Sequence, residues 1–235
     1  MNKLLKKVLV YGIAAVVCVA SLTGCGSDIN PDEIIATVGD DEISFGAANF
    51  FARLQQASYE TFYAGMVGST GEEIWNQPDP SGKDLQETVK EGLMDNLTTM
   101  YVLKQHAEDY DVVITEEEKS AIEKAAKDFV ESNDEDILKE ITADEETVKE
   151  ILELMTIQNK MREPLMKEAK EAVDAAKEDG EDISESEVDE QVAMDYQYNE
   201  IIVNWKKDVK IDVDNELWSK VSFKEKGFTM KQQED

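Results

Sequence analysis

Between Asp84 and about Tyr110 the apolar residues fall at Leu85, Val89, Leu93, Leu97, Met100, Leu103 and Ala107, spaced by four, four, four, three, three and four. Only a helix stacks such positions on one face, so the chain must be built round a long amphipathic helix. Three further helix starts place a hydroxyl residue three positions before a glutamate: Thr115 with Glu118, Thr142 with Glu145, and Ser184 with Glu187. Each is a capping box in which side chain and backbone satisfy one another. The first opens a helix to about Glu131, the second carries Val148, Ile151, Leu152, Met155 and Met161, and the third carries Val188, Val192, Tyr196 and Trp205. Pro164 should kink or split the second, because an interior proline costs about 3 kcal/mol.

The N-terminal part reads differently. Ile34 to Val38 is β-prone, Gly39-Asp40-Asp41 makes a turn and Glu42 to Ser44 a short return, which predicts a small hairpin. Ser44 caps a helix from Phe45 to near Met66, with Phe50, Phe51, Leu54, Tyr59, Phe62 and Tyr63 on an aromatic face. Glycines and prolines from Gly65 to Gly82 predict a long loop in which Trp75 packs back. The stretch Lys177 to Asp182 should break helicity, Lys210 to Asp214 is extended, and Glu216 to Lys220 forms a last turn.

Aromatic residues constrain how these pieces meet. Seven lie between Phe45 and Trp75, six between Tyr196 and Phe228, and only Tyr101, Tyr110 and Phe129 between those groups. The two ends should therefore share one aromatic core with the long central helix. From Asp111 to Glu190 there are 28 acidic and 10 basic residues, and the apolar stripes are narrow. That region, about 111–190, is expected to form a protruding acidic helical arm, and 224–235 a polar tail.

The opening residues act as an address. Lys3, Lys6 and Lys7 precede an uncharged apolar run from Val8 to Leu22, the pattern of a secretory signal. It is too short for the roughly 20 residues a spanning helix needs. Leu22-Thr23-Gly24-Cys25 resembles the bacterial lipobox, which implies a diacylglycerol thioether on Cys25 and cleavage after Gly24. Residues 1–24 are then a signal peptide, and 25–33 a lipidated tether to the membrane of an extracytoplasmic protein. Removing three lysines and no acid takes the net charge from -29 to -32. So acidic a surface repels phosphate, which argues against nucleic acid as a partner. The two cysteines, Cys18 and Cys25, both lie in this segment, so the body has neither disulfide nor thiol chemistry.

Further motifs carry a resemblance. Ile35-Ala36-Thr37-Val38-Gly39-Asp40-Asp41-Glu42-Ile43-Ser44, the helix Leu93 to Ala107, the continuation Val112-Val113-Ile114-Thr115-Glu116-Glu117-Glu118 and the closing Trp205 to Val213 resemble, in order, the N-terminal domain of the SurA and PrsA extracytoplasmic chaperones. They cover roughly residues 34–165 and 196–221. The resemblance implies a mainly α, SurA-N/PrsA-like chaperone domain over 34–223, with its N- and C-terminal parts packed together. Family members that isomerise prolyl bonds insert a parvulin domain between these parts. Here that interval reads as helix, with Gly180 and Gly227 the only glycines after Gly92 and His106 the only histidine of the chain.

The expected function is accordingly a holdase for unfolded or newly secreted polypeptides, with no catalytic residues, cofactor or metal. The alternatives are a prolyl isomerase with a diverged site and a module for one dedicated envelope partner. Flexible methionines suit a sequence-tolerant surface, though core filling is their commoner use. The candidate client surface is Phe50, Phe51 and Leu54 with Met94 and Met100, in a groove between arm and aromatic core. His106 reads as an ordinary helix-surface residue. Asp212 to Glu216 lacks the turn glycine and distal glutamate of a calcium loop.

Overall fold

A computed structural model describes residues 17–19, 30–67, 71–178 and 187–230. In chain order the elements are β1 (Val17–Val19), β2 (Ile34–Val38), β3 (Asp41–Ser44), α1 (Phe45–Val67), a 3-10 turn (Gly71–Asn76), α2 (Leu85–His106), a second 3-10 turn (Glu108–Tyr110), α3 (Glu116–Ser132), α4 (Glu135–Glu140), α5 (Glu145–Glu178), α6 (Glu187–Asp208), β4 (Ile211–Val213), α7 (Asn215–Ser219) and β5 (Phe228–Met230). The chain is mainly helical with a small antiparallel sheet. The lipobox-like segment with Cys25 lies outside the described residues, as do Ser184 and the interval expected to break helicity after Glu178.

The expected hairpin forms because Gly39 adopts φ +60°, left-handed backbone that costs glycine nothing. β4 then pairs with the free edge of β2, giving the order β3-β2-β4, with Ala36 opposite Val213 and Val38 opposite Ile211. Ile35, Val38 and Ile43 are wholly buried under this sheet. Residues far apart in sequence thus complete one three-stranded unit, as the aromatic distribution requires of the two ends.

Helix starts follow the expected local chemistry at Ser44 and Thr115 but not at Thr142. Ser44 Oγ accepts from the Ala47 amide at 3.1 Å. Thr115 and Glu118 form the reciprocal capping box, at 3.2 and 2.8 Å. Thr142 does not cap α5. Asp144 does so instead, its carboxylate accepting from the Thr147 amide at 2.7 Å. Thr142 sits at φ 52°. Its hydroxyl donates to the Gly46 carbonyl at 2.9 Å and accepts from Asn49 Nδ2 at 3.2 Å, tying this turn to α1. A tertiary contact has taken the residue that local pattern would use as a cap.

Pro164 does not split α5, which runs unbroken over 34 residues. Met161 and Leu165, on either side of the proline, are both fully buried, and their packing offsets the missing ladder bond. The acidic helices are not a separate arm either. Ile122, Ala126 and Phe129 of α3 and Val148, Ile151, Leu152 and Leu154 of α5 belong to the main core, with Phe50, Phe51, Tyr101, Trp218 and Phe223. Phe129 meets Phe50 edge to face, centroids 5.5 Å apart. A narrow stripe suffices when each side chain on it is large or lands in a close contact, while the acids line the outer faces.

The polar tail is also corrected: Phe228 is fully buried and β5 is a strand. A second apolar cluster gathers Leu103, Ala107, Val112, Met161, Leu165 and Ile202 where α2, α5 and α6 meet.

Between α1 and α2 the loop turns on Asp79. Its carboxylate accepts from the Ser81 and Lys83 amides at 2.8 and 2.9 Å and from the Ser81 and Thr88 hydroxyls at 2.7 and 2.9 Å. These bonds, the Ser81 hydroxyl foremost, hold its pKa at about 2, below the ordinary 3.8. A depressed carboxylate pKa contributes stability that is complete above the unfolded value and is lost as pH falls through the folded one. A carbon-13 titration should therefore place the Asp79 midpoint near 2 and return it toward 3.8 in the Ser81→Ala, Thr88→Val double variant. An unchanged midpoint in that variant would contradict the assignment.

Candidate functional site

The five residues expected to line a client groove are interior. Phe50, Phe51, Leu54, Met94 and Met100 are between 0 and 7% exposed. α3 and α5 close the face of α1 on which the groove was expected, so Phe50 and Phe51 are core side chains. Of the five, Met94 also lines an open hollow.

That hollow belongs to a furrow along α2 that sequence spacing did not locate. Where α6 crosses α2, a cavity of about 550 Å³ is lined by Asn96, Thr99 and Leu103 from α2 and by Tyr198, Ile202 and Val203 from α6. Beside it, a hollow of about 310 Å³ is lined by Met94 and Thr98 of α2, Ile211 and Val213 of β4, and Trp218 of α7. Asp95 and Lys206 line both. Lys206 Nζ donates to Asp95 Oδ1 at 2.6 Å and to Thr99 Oγ1 at 3.1 Å, so this ion pair is the wall shared by two adjoining hollows, which together make a trough beside α2.

The trough exists because residues at the helix crossing are short. Gly92 carries no side chain there, and nothing lies within 4 Å of where a Cβ would stand. Asn96, Thr99 and Asn199 leave α2 and α6 incompletely packed beside the buried Leu103 and Ile202. Gln158 Nε2 reaches over from α5 to donate to Asn96 Oδ1 at 2.9 Å. The walls thus combine aliphatic and aromatic carbon with carboxamides and hydroxyls. Such a lining suits an extended polypeptide, whose backbone needs donors and acceptors and whose side chains need apolar cover. Among the described residues no group of three or more His, Cys, Asp or Glu converges as a metal site would.

No protein family model, curated protein or solved structure matches this chain. The site must therefore be read from its own geometry.

A second constellation lies where β5 runs along α1. Arg53, Gln56 and Glu60 are 8, 0 and 0% exposed, all on the buried face of α1. Glu60 Oε1 accepts from Gln56 Nε2 at 2.7 Å and Trp75 Nε1 at 2.6 Å, and Oε2 accepts from the Phe228 amide at 2.6 Å. Arg53 Nη1 donates to Gln56 Oε1 at 2.7 Å and to the Ser222 carbonyl at 2.8 Å. Its guanidinium lies 5.2 Å from the Phe228 ring centre. Burial lowers the Arg53 pKa to about 10, against the raising effect of Glu140, Glu225 and Glu60. Arg53 remains charged at neutral pH.

This network pins the 3-10 turn Gly71–Asn76 and β5 to α1. Trp75 packs back as expected, held by Glu60 and by Phe223 at 4.8 Å. Gly71 permits the approach: a Cβ there would stand 2.2 Å from the Glu60 carbonyl oxygen. The sequence did carry a signal, since Arg53, Gln56 and Glu60 interrupt an apolar face at helical spacing. His106 is more than a surface residue, stacking on Trp205 with centroids 4.1 Å apart.

Proposed function

We infer that the chain is a lipid-anchored extracytoplasmic holdase, a SurA/PrsA-like chaperone part working without the isomerase part, that binds extended segments of unfolded or newly secreted polypeptides. The trough along α2 is the observation that carries this reading. It brings the apolar carbon of Leu103, Ile202, Val203, Ile211 and Trp218 beside the amides and hydroxyls of Asn96, Thr99 and Asn199, on a chain whose acidic surface keeps a client-loaded protein soluble by repulsion. Val203, 41% exposed on its rim, and Val192 and Tyr196, 62 and 61% exposed further along α6, extend apolar surface beyond it.

The test is suppression of client aggregation by the form lacking residues 1–25. Val203→Asp puts a charge on the trough wall at a half-exposed position that the fold tolerates. It should raise the concentration needed for half-protection by about ten-fold, the scale of losing one apolar contact and desolvating a carboxylate. No suppression by the parent at several-fold molar excess would overturn the reading. Anchoring is tested separately, by labelled fatty acid that enters the wild type and not Cys25→Ala.

A further inference from the structure

β5 has two edges, and they differ in what holds them. On one side it lies along α1, where the Phe228 amide donates to buried Glu60 at 2.6 Å and the Phe228 ring is sealed beneath Arg53. On the other side, among the described residues, it pairs with β1, antiparallel, with Val17 opposite Met230, Cys18 opposite Thr229 and Val19 opposite Phe228. β1 also touches α4, so it fills a slot between α4 and β5. The lipobox implies that this occupant is removed: cleavage before Cys25 takes β1 away and leaves β5 in place.

We propose that the outer edge of β5 is a strand-addition site for an extended, apolar, β-branched peptide, filled by residues 17–19 before cleavage and open to segments of other polypeptides afterward. The seated sequence Val-Cys-Val states the chemistry of the occupant. Main-chain pairing supplies the grip, as when a peptide joins an exposed sheet edge. The edge is held in advance from the α1 side, so an incoming strand orders little besides itself. Backbone direction alternates along a strand. Because the Phe228 amide faces Glu60, the groups turned toward the added strand are those of Thr229, and they pair with the residue in the place of Cys18. The helix beside the slot, α4, carries Glu135, Asp136 and Glu140, a concentration of negative charge that disfavours acidic occupants. The site is separate from the trough on α2, and within the holdase reading it names a second class of contact.

The probe is a fluorescent peptide of residues 14–21 carrying Cys18→Ser. Its binding is measured to the mature lipoprotein in nanodiscs and to the uncleaved Cys25→Ala chain. The mature form should bind at least about ten-fold more tightly, because the uncleaved chain competes through its own β1. N-methylation at position 18 of the peptide removes a ladder donor and should weaken binding by about ten-fold, while N-methylation at position 19, whose amide faces away, should change it less than about two-fold. Those variants leave the protein untouched, so folding does not enter. Equal affinity for both protein forms, no binding to the mature form, or equal effects of the two methylations would each overturn the proposal. Aggregation suppression that persists alongside such a result would leave the trough reading standing.

Discussion

Replacing Glu60 with alanine will lower the unfolding free energy by about 3–5 kcal/mol, the cost of stripping a buried charge of its partner. Glu60 is fully buried, and one carboxylate satisfies the Gln56 amide, the Trp75 indole and the Phe228 backbone. Without it, the Trp75 indole and the Phe228 amide lose their acceptor, Gln56 Nε2 keeps only the Phe223 and Lys226 carbonyls, and the Arg53 guanidinium nearby is left with less opposing charge. Urea unfolding followed by tryptophan fluorescence reads the loss, and amide exchange should show 3-10 turn 71–76 and β5 opening together. Glu60→Gln, which keeps the shape and an acceptor, should lose less. The pair Arg53→Met with Glu60→Leu should recover only the part owed to the uncompensated Arg53 charge, because the Trp75 indole and the Phe228 amide still lack the Glu60 carboxylate. A loss below about 1 kcal/mol for Glu60→Ala would show that water replaces the carboxylate.

Phe129→Ala should cost about 3–5 kcal/mol, the range for truncating a fully buried phenylalanine. Phe129 is 1% exposed and packs edge to face on Phe50, so its removal leaves a cavity between α3 and α1. A detachable acidic arm would behave otherwise. α3 would fray alone, with the main transition unmoved and a cost well under about 1 kcal/mol. A single cooperative transition at lower denaturant, reported alike by tryptophan fluorescence and far-UV dichroism, is the expected result for a chain whose acidic helices are part of its core.

Several elements were legible residue by residue. The hairpin at Gly39, the caps at Ser44 and Thr115, and the long central helix all depend on groups within a few positions of one another. Readings that failed each involved a distant partner. Thr142 lost its capping role to a contact with α1, and Pro164 was held within α5 by burial of Met161 and Leu165. Phe50, Phe51 and Leu54 do share one buried apolar face of α1. Whether such a face lines a groove or a core depends on what lies across it, and spacing within one helix carries no information about that.

The trough shows the same division. Tyr198, Ile202 and Val203 look from their spacing like an ordinary buried stripe, and only the crossing of α6 over α2 beside Gly92 and Thr99 leaves them facing space. Local hydrogen bonding and the 3.6-residue period are short-range physics, so the sequence alone determined the mainly helical class, the hairpin, most helix starts and the meeting of the two aromatic ends. Closure of the acidic helices onto the core, the Glu60 junction that pins β5 to α1, and the open trough were decided by tertiary structure, because burial depends on which surfaces meet across long stretches of chain.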